Sequence, residues 1–225
     1  MKTISIIAGV ILLLLAMPLI SLSDEAATGS SDMSVDDILK KVEEIYTASQ
    51  FSADFVQVST IKAMEISDSA SGSLFVKYPG KMRWEYQEPE KQVIVSDGVR
   101  LWIYRPEDQQ VMVGDAATLF GEGKGAGFLS DIRLIRKDFD ITLEDIRFGD
   151  YYNLKMVPRK KNWDLARIHL LVSKTSYRIF QVYTYNVYDD ATRIEFSGLQ
   201  FNASLDEGLF TFTVTQGMDV LQLDE

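Results

Sequence analysis

Residues 72–86 read Gly-Ser-Leu-Phe-Val-Lys-Tyr-Pro-Gly-Lys-Met-Arg-Trp-Glu-Tyr, and residues 93–104 read Val-Ile-Val-Ser-Asp-Gly-Val-Arg-Leu-Trp-Ile-Tyr. Apolar residues recur at every second position in both segments, which is the period of a β-strand with one face shielded from water. Turn-forming residues interrupt the pattern at Pro79, Pro89 and Asp97, where an antiparallel sheet would reverse direction. The two segments therefore predict a set of consecutive antiparallel strands.

The side chains assigned to one face of these strands are unusually large. Together with Phe55 from an earlier strand, this predicted wall consists of Leu74, Val76, Tyr78, Met82, Trp84, Tyr86, Val93, Val95, Trp102 and Tyr104. A face built from aromatic and aliphatic side chains either packs as a dry core or lines a container for an apolar ligand. The pattern alone leaves both interpretations open.

The rest of the chain predicts helices flanking a long series of strands. Ser34 is a predicted N-cap for an amphipathic helix from Val35 to about Thr47. Strand patterns return after Asp138 and continue to a final strand near residues 209–214. We therefore predict an α+β, mainly β fold with a single curled antiparallel sheet of about 11 strands, because so wide a sheet twists too strongly to stay flat.

A glycine-rich segment at residues 121–127 precedes a second apolar helical face, formed by Phe128, Leu129, Ile132 and Ile135. Its glycines do not have the spacing of a phosphate-binding loop or of a dinucleotide-binding loop. The segment is either a hinge beside a helical lid or an ordinary surface loop. In both cases the helices are predicted to cover the concave face of the sheet.

The first residues have the pattern of an export signal. Lys2 precedes an apolar run from Ile4 to Ile20, and small residues follow it. We predict a cleavable secretory signal peptide at residues 1–23, a flexible tether at 24–33 and one domain at 34–225, with an uncleaved membrane anchor as the alternative. The absence of Cys favours the bacterial periplasm. The net charge of −10 disfavours nucleic acid and anionic phospholipid surfaces as partners.

The residues that usually perform catalysis are not arranged for it. The one histidine, His169, lies in a predicted strand, and no carboxylate or nucleophile is placed beside it by the pattern. One His and no Cys also disfavour a transition-metal site. We therefore predict a non-enzymatic protein with no catalytic residues, no metal and no cofactor.

Several segments carry a family resemblance. They read Phe-Ser-Ala-Asp-Phe-Val-Gln at 51–57, Val-Ser-Asp-Gly at 95–98 and Leu-Trp-Ile-Tyr-Arg-Pro at 101–106, and they join the segment 72–86 quoted above. Together they resemble the outer-membrane lipoprotein carrier family, the LolA-like proteins. The closing Leu-Phe-Thr-Phe-Thr-Val-Thr-Gln-Gly-Met at 209–218 is similar to the C-terminal strand of that family.

The resemblance implies a monomeric periplasmic chaperone with an unclosed barrel and a helical lid. The predicted wall would then bind the acyl chains of lipoproteins, and Phe128, Leu129, Ile132 and Ile135 would belong to the lid. The implied partners are acylated lipoproteins, an inner-membrane ABC transporter that releases them and an outer-membrane acceptor. The alternatives are a carrier of another lipid, such as a glycolipid, and a lipoprotein-sensing regulator with the same fold.

The chain departs from the family pattern at two places. Some carriers have an Arg immediately before the Pro of the Lys-x-Pro motif, where it faces the cavity and bonds to the lid. Here that position is Tyr78, whose hydroxyl can reach a lid carbonyl. Val214 and Thr215 replace a Pro-Pro pair that is frequent near the end of these proteins, which puts the last turn in doubt.

Overall fold

The computed structural model describes residues 33–48, 50–117, 127–144, 149–161, 163–201 and 204–223. The predicted signal peptide, the tether up to residue 32 and the glycines at 121–125 lie outside the described residues. Within these ranges no helix combines the length and the apolar character needed to cross a bilayer.

Twelve strands in the described ranges form one sheet. They are β1 (Gln50–Ile61), β2 (Ile66–Lys77), β3 (Lys81–Glu88), β4 (Gln92–Asp97), β5 (Arg100–Arg105), β6 (Gln110–Asp115), β7 (Phe139–Glu144), β8 (Tyr151–Pro158), β9 (Arg167–Ser173), β10 (Ile179–Tyr185), β11 (Ala191–Phe201) and β12 (Asp219–Gln222). Their order is β12-β6-β5-β4-β3-β2-β1-β11-β10-β9-β8-β7. All neighbours are antiparallel except β12 and β6, and β7 and β12 stay unpaired with each other, so the predicted unclosed antiparallel sheet is confirmed.

The first helix, α1 (Val35–Thr47), agrees with its predicted bounds. The Ser34 side chain accepts a hydrogen bond from the amide of Asp37 at 3.1 Å, which satisfies one of the free N–H groups at the start of a helix. The stripe of α1 that is buried against the sheet consists of Ile38, Leu39, Val42 and Tyr46. These residues cover one face of the sheet, called the inner face from here on.

The second predicted helix is broken into two pieces. Residues 127–138, called the lid segment, contain a 3₁₀ turn at Gly127–Ser130 and a short helix, α2 (Leu134–Asp138). Asp131 lies between them, and its side chain accepts a hydrogen bond from the amide of Arg133 at 3.1 Å. A side chain that bonds to the nearby backbone in this way competes with a continuous helix.

The predicted final strand at residues 209–214 was wrong. This stretch begins in a 3₁₀ turn (Glu207–Phe210) and continues as extended chain over the outer face of the sheet, and the last strand is β12. The Phe212 ring packs 5.2 Å from the Tyr104 ring and 6.5 Å from the Trp102 ring, measured between centroids. The C-terminal segment therefore covers an apolar patch on the outside of the sheet.

Candidate functional site

The inner face of β1–β3 is a packed core in this structure. It buries Phe55, Leu74, Val76, Met82 and Trp84 from the predicted wall, with Tyr86 packed against them. The Phe55 ring lies edge-on to the Trp84 ring, with the two centroids 4.8 Å apart. The four predicted lid residues, Phe128, Leu129, Ile132 and Ile135, belong to the same cluster, as does the stripe of α1. This part of the wall is therefore dry and covered.

The predicted placement of Val93, Val95, Trp102 and Tyr104 on the same face was wrong. Trp84 is paired with Ile94, and Val95 is paired with Trp102, so these four residues point to the outer face. There they pack with Phe212 and Met218 of the C-terminal segment. Side chains alternate between the two faces within each strand. The length of the loop before a strand decides which of its alternate residues share a face with those of the preceding strand.

The inner face instead continues through three residues that the sequence reasoning missed. Ile94 lies opposite Ile103, and Ile103 lies opposite Met112, which extends the row that begins at Trp84 across β4–β6. All three side chains are only half-buried. The length of the β3–β4 connection could have predicted them. Five residues separate the paired Tyr86 and Gln92, so Gln92 and then Ile94 lie on the same face as Tyr86. The inner face therefore has a covered part and a partly uncovered apolar part.

The lid segment is attached to the sheet at the turn between β2 and β3. The amide of Gly80 donates a hydrogen bond to the carbonyl of Ser130 at 2.8 Å. The guanidinium carbon of Arg133 lies 4.9 Å from the centre of the Tyr78 ring, a cation–π contact. The residue before Pro79 thus contacts the lid segment, as the family pattern implied. Here, however, the residue on the sheet is the aromatic Tyr78, and the Arg of the contact, Arg133, belongs to the lid segment.

The lid segment is also attached to α1. Nε of Arg136 donates to the Glu43 carboxylate at 2.5 Å, and Nη2 donates to the backbone carbonyl of Asp36 at 3.0 Å. Nη1 of the same guanidinium pairs with the Asp36 carboxylate. Within the lid segment, hydrogen bonding from Arg133 holds the pKa of Asp131 below its ordinary value. The two covers of the inner face are therefore linked to each other by one guanidinium group.

An open cleft of about 1050 Å³ borders the lid segment. It lies between the β2–β3 turn at Gly80, the residue Ala116 that follows β6, and the end of β8 at Pro158. Leu134 and Phe139 line it, and Phe139 also belongs to the covered core. The volume lies at the upper end of the range usual for small-molecule sites. The cleft and the covered core therefore meet at Phe139.

Residues 46–213 match the model of a protein family described as outer membrane lipoprotein carrier protein LolA. The chain belongs to the LolA family. A LolA-family protein of Nitrosomonas europaea, an outer-membrane lipoprotein carrier protein, is 31% identical over 172 residues, covering 76% of this chain and 82% of that one. One of Nitrosospira multiformis with the same description is 32% identical over 170 residues, covering 75% and 80%.

The fold of this chain is also found among solved structures. An uncharacterized conserved protein of Thermus thermophilus superposes with a TM-score of 0.56 at 14% identity, covering 84% of this chain and 99% of that chain. At that identity the similarity shows the fold alone. The LolA family consists of carriers and chaperones rather than enzymes, which agrees with the prediction of a non-enzymatic protein.

Proposed function

We propose that this LolA-family protein is a periplasmic carrier that holds the acyl chains of lipoproteins against the inner face of its sheet. The observation that carries the proposal is the partly uncovered row of Ile94, Ile103 and Met112 beside the buried Trp84. An acyl chain in contact with this row would gain roughly 0.8 kcal/mol for each methylene removed from water. A few acyl chains, each with many methylenes, supply ample affinity.

The covered part of the inner face would accept more of the ligand once the lid segment moves. The residues then available from the predicted wall are Phe55, Leu74, Val76, Tyr78, Met82, Trp84 and Tyr86. Because acyl chains would replace packed lid contacts rather than fill an empty space, part of their binding free energy is used to open the cover. This cost lowers the net affinity, which favours release at the destination.

The domain organisation follows from this role. Residues 1–23 would direct export and be removed, residues 24–33 would form a tether, and residues 34–225 would be the carrier domain. As a monomer in the periplasm, the carrier would receive lipoproteins from an inner-membrane ABC transporter and deliver them to an acceptor in the outer membrane. The description of the LolA relatives as outer-membrane lipoprotein carrier proteins supports the lipoprotein cargo of this route.

The test uses a triacylated lipopeptide and a fluorescent apolar probe, bis-ANS, bound to the purified chain. We expect the lipopeptide to displace the probe, and Ile103→Ser to weaken that displacement about tenfold, the factor expected for removing one large apolar contact. The matched control is Val220→Ser in β12, which removes an apolar side chain of 42% exposure away from the inner face. Equal displacement in both variants, or copurification of a lipid other than lipoprotein, would overturn the proposal.

A further inference from the structure

Exposed apolar side chains are concentrated at three neighbouring turns of the sheet. The turns are the β1–β2 turn, the β8–β9 connection and the β10–β11 turn, and the side chains are Ile61, Met64, Ile66, Trp163, Val187 and Tyr188. Met64 is 66% exposed, Trp163 is 65% exposed and Tyr188 is 74% exposed. Large apolar groups placed together in water at one end of a molecule indicate an interaction site. These residues are called the loop-tip surface.

Hydrogen bonds connect the three turns into one surface. The amide of Lys62 donates to the Asp190 carboxylate at 2.9 Å, which joins the β1–β2 turn to the β10–β11 turn. The amide of Val187 donates to the carbonyl of Trp163 at 3.3 Å, which joins the β10–β11 turn to the β8–β9 connection. The loop-tip surface is therefore held together by hydrogen bonds between its turns.

The charges around these apolar groups are nearly balanced, although the chain has a net charge of −10. The Asp189 carboxylate is paired with Lys62 at 2.8 Å and with Arg167 at 2.9 Å. The ammonium group of Lys161 lies 4.8 Å from the centre of the Trp163 ring. Among the residues that the structure describes, Lys160 has no carboxylate within ion-pair distance. Local repulsion from an anionic surface is thus small here.

The loop-tip surface adjoins the lid segment. Trp163, Lys160 and Lys161 line the same open cleft as Leu134 of the lid segment and Ser130, the residue whose carbonyl is bound by Gly80. Anything that binds at the tips therefore lies next to the part of the cover that has to move. This position suits a surface from which, or to which, an apolar cargo is transferred.

We propose that the loop-tip surface docks on a phospholipid bilayer. Trp and Tyr side chains with an apolar ring and a polar atom are favoured in the headgroup layer, and Lys side chains can place their ammonium groups beside phosphates. Met64 and Tyr188 lie on two adjacent turns of this surface and are 66% and 74% exposed, so both side chains can enter a headgroup layer without rearrangement of the sheet. The proposal goes beyond acyl-chain binding and can fail independently of it.

The fluorescence of Trp163 gives a direct test, because the other two Trp residues are buried, Trp84 to 5% exposure and Trp102 to 8%. We expect vesicles of phosphatidylcholine containing phosphatidylglycerol to shift the emission to shorter wavelength, to protect it from iodide and to sediment the protein. Replacing Met64 and Tyr188 together by Ser should weaken sedimentation by about tenfold or more, since interfacial binding scales with the apolar area inserted. Lys160→Gln should weaken binding to the phosphatidylglycerol vesicles more than to pure phosphatidylcholine.

The matched control is Val99→Ser, which removes an apolar side chain of 68% exposure at the β4–β5 turn. It should bind vesicles like the unchanged protein, and all variants should keep the same thermal midpoint because the side chains are exposed. A protein that stays in the supernatant with both vesicle types would overturn the proposal and leave this surface to a protein partner. Equal sedimentation of the Met64/Tyr188 variant and the control would overturn it as well. Displacement of bis-ANS by lipopeptide should be unchanged in every variant, so this failure is distinguishable from failure of the carrier function.

Discussion

Arg136 of α2 and Glu43 of α1 are joined by a 2.5 Å hydrogen bond between Nε of the guanidinium and the carboxylate. In the sequence, strands β1–β6 lie between these two helices. The pair therefore connects elements that are far apart along the chain. Because both elements cover the inner face, displacement of one pulls on the other. The proposed acyl-chain site is therefore expected to open through a joint movement of α1 and the lid segment.

Replacing Arg136 by Gln should loosen this joint cover. The side chains of Arg136 and Glu43 are 34% and 24% exposed, so we expect a loss of only about 0.5–1 kcal/mol in the free energy of unfolding, and less at high salt. Binding of bis-ANS should become faster. The measurements are urea unfolding at two salt concentrations and stopped-flow fluorescence.

The control for this experiment is Lys41→Gln in the same helix. Lys41 pairs with Glu44 at 3.6 Å, and both side chains are about half exposed, 51% and 54%. This variant should change neither stability nor probe binding. An Arg136→Gln protein that binds the probe at the unchanged rate would contradict the joint-cover interpretation.

Gly72 should not tolerate a side chain. A Cβ atom added there would lie 1.9 Å from the backbone carbonyl oxygen of Glu85 in β3, where the β2–β3 register shifts. We expect Gly72→Ala to lower the free energy of unfolding by about 1–3 kcal/mol, the usual cost of forcing atoms into a packed site. Thermal unfolding measures it. Gly149→Ala is the matched control, because a Cβ there meets no atom within 4 Å, and comparable losses in the two variants would refute the explanation.

Alkaline pH should destabilise the covered part of the inner face. Burial raises the pKa of Tyr86 from its ordinary value of 10.0 to about 12, and burial also raises the pKa of Tyr46. A group whose pKa is raised on folding contributes stability that is complete below pH 10 and is lost as the pH rises through 12. Urea unfolding across this range should show a smaller loss for Tyr86→Phe than for the unchanged chain. Equal losses in the Tyr86→Phe protein and the unchanged chain would contradict this assignment.

Acid should release the C-terminal segment from the outer face. Hydrogen bonds from Lys77 and Lys81 lower the pKa of Glu207 from 4.5 to about 2. Because this pKa is lowered on folding, its contribution is present above pH 4.5 and is lost as the pH falls through 2. Relative to the intrinsic exchange rate at each pH, the amides of residues 209–218 should therefore lose protection in acid, and Glu207→Gln should show less protection already at neutral pH. Glu90→Gln at an exposed turn is the control, and identical exchange in the two variants would contradict the assigned role.

Local patterns predicted the elements of this fold better than their mutual arrangement. The bounds of α1 follow from its N-cap at Ser34 and its apolar spacing, which are properties of neighbouring residues. Alternation in β5 likewise predicted that Trp102 and Tyr104 lie on the same face of the sheet, but it could not say which face that is. That choice depends on how many residues each turn contains and on the hydrogen-bond register across it.

The attachment of the lid segment was predictable only in part. The family resemblance predicted that the residue before Pro79, Tyr78, contacts the lid. The identity of its partner, Arg133, could not be predicted, because it depends on how the chain folds back across the sheet. The break at Asp131 could have been anticipated, because Asp side chains compete for nearby backbone amides. The bond between Gly80 and Ser130 involves two backbone groups and therefore leaves no trace in the pattern of side chains.

The parallel pairing of β12 with β6 determines how copies of this protein can aggregate. Val220 is aligned with Val111 and Leu221 with Met112, so the outer edge of β6 is already occupied over those residues. A second molecule would meet β12 instead, and a strand of four residues offers few free backbone groups for pairing. The opposite edge is β7, which carries Asp140 and Glu144. Charged residues on an edge strand oppose the addition of a strand from a second molecule. They therefore help a protein with a large apolar inner face to avoid aggregation at high concentration.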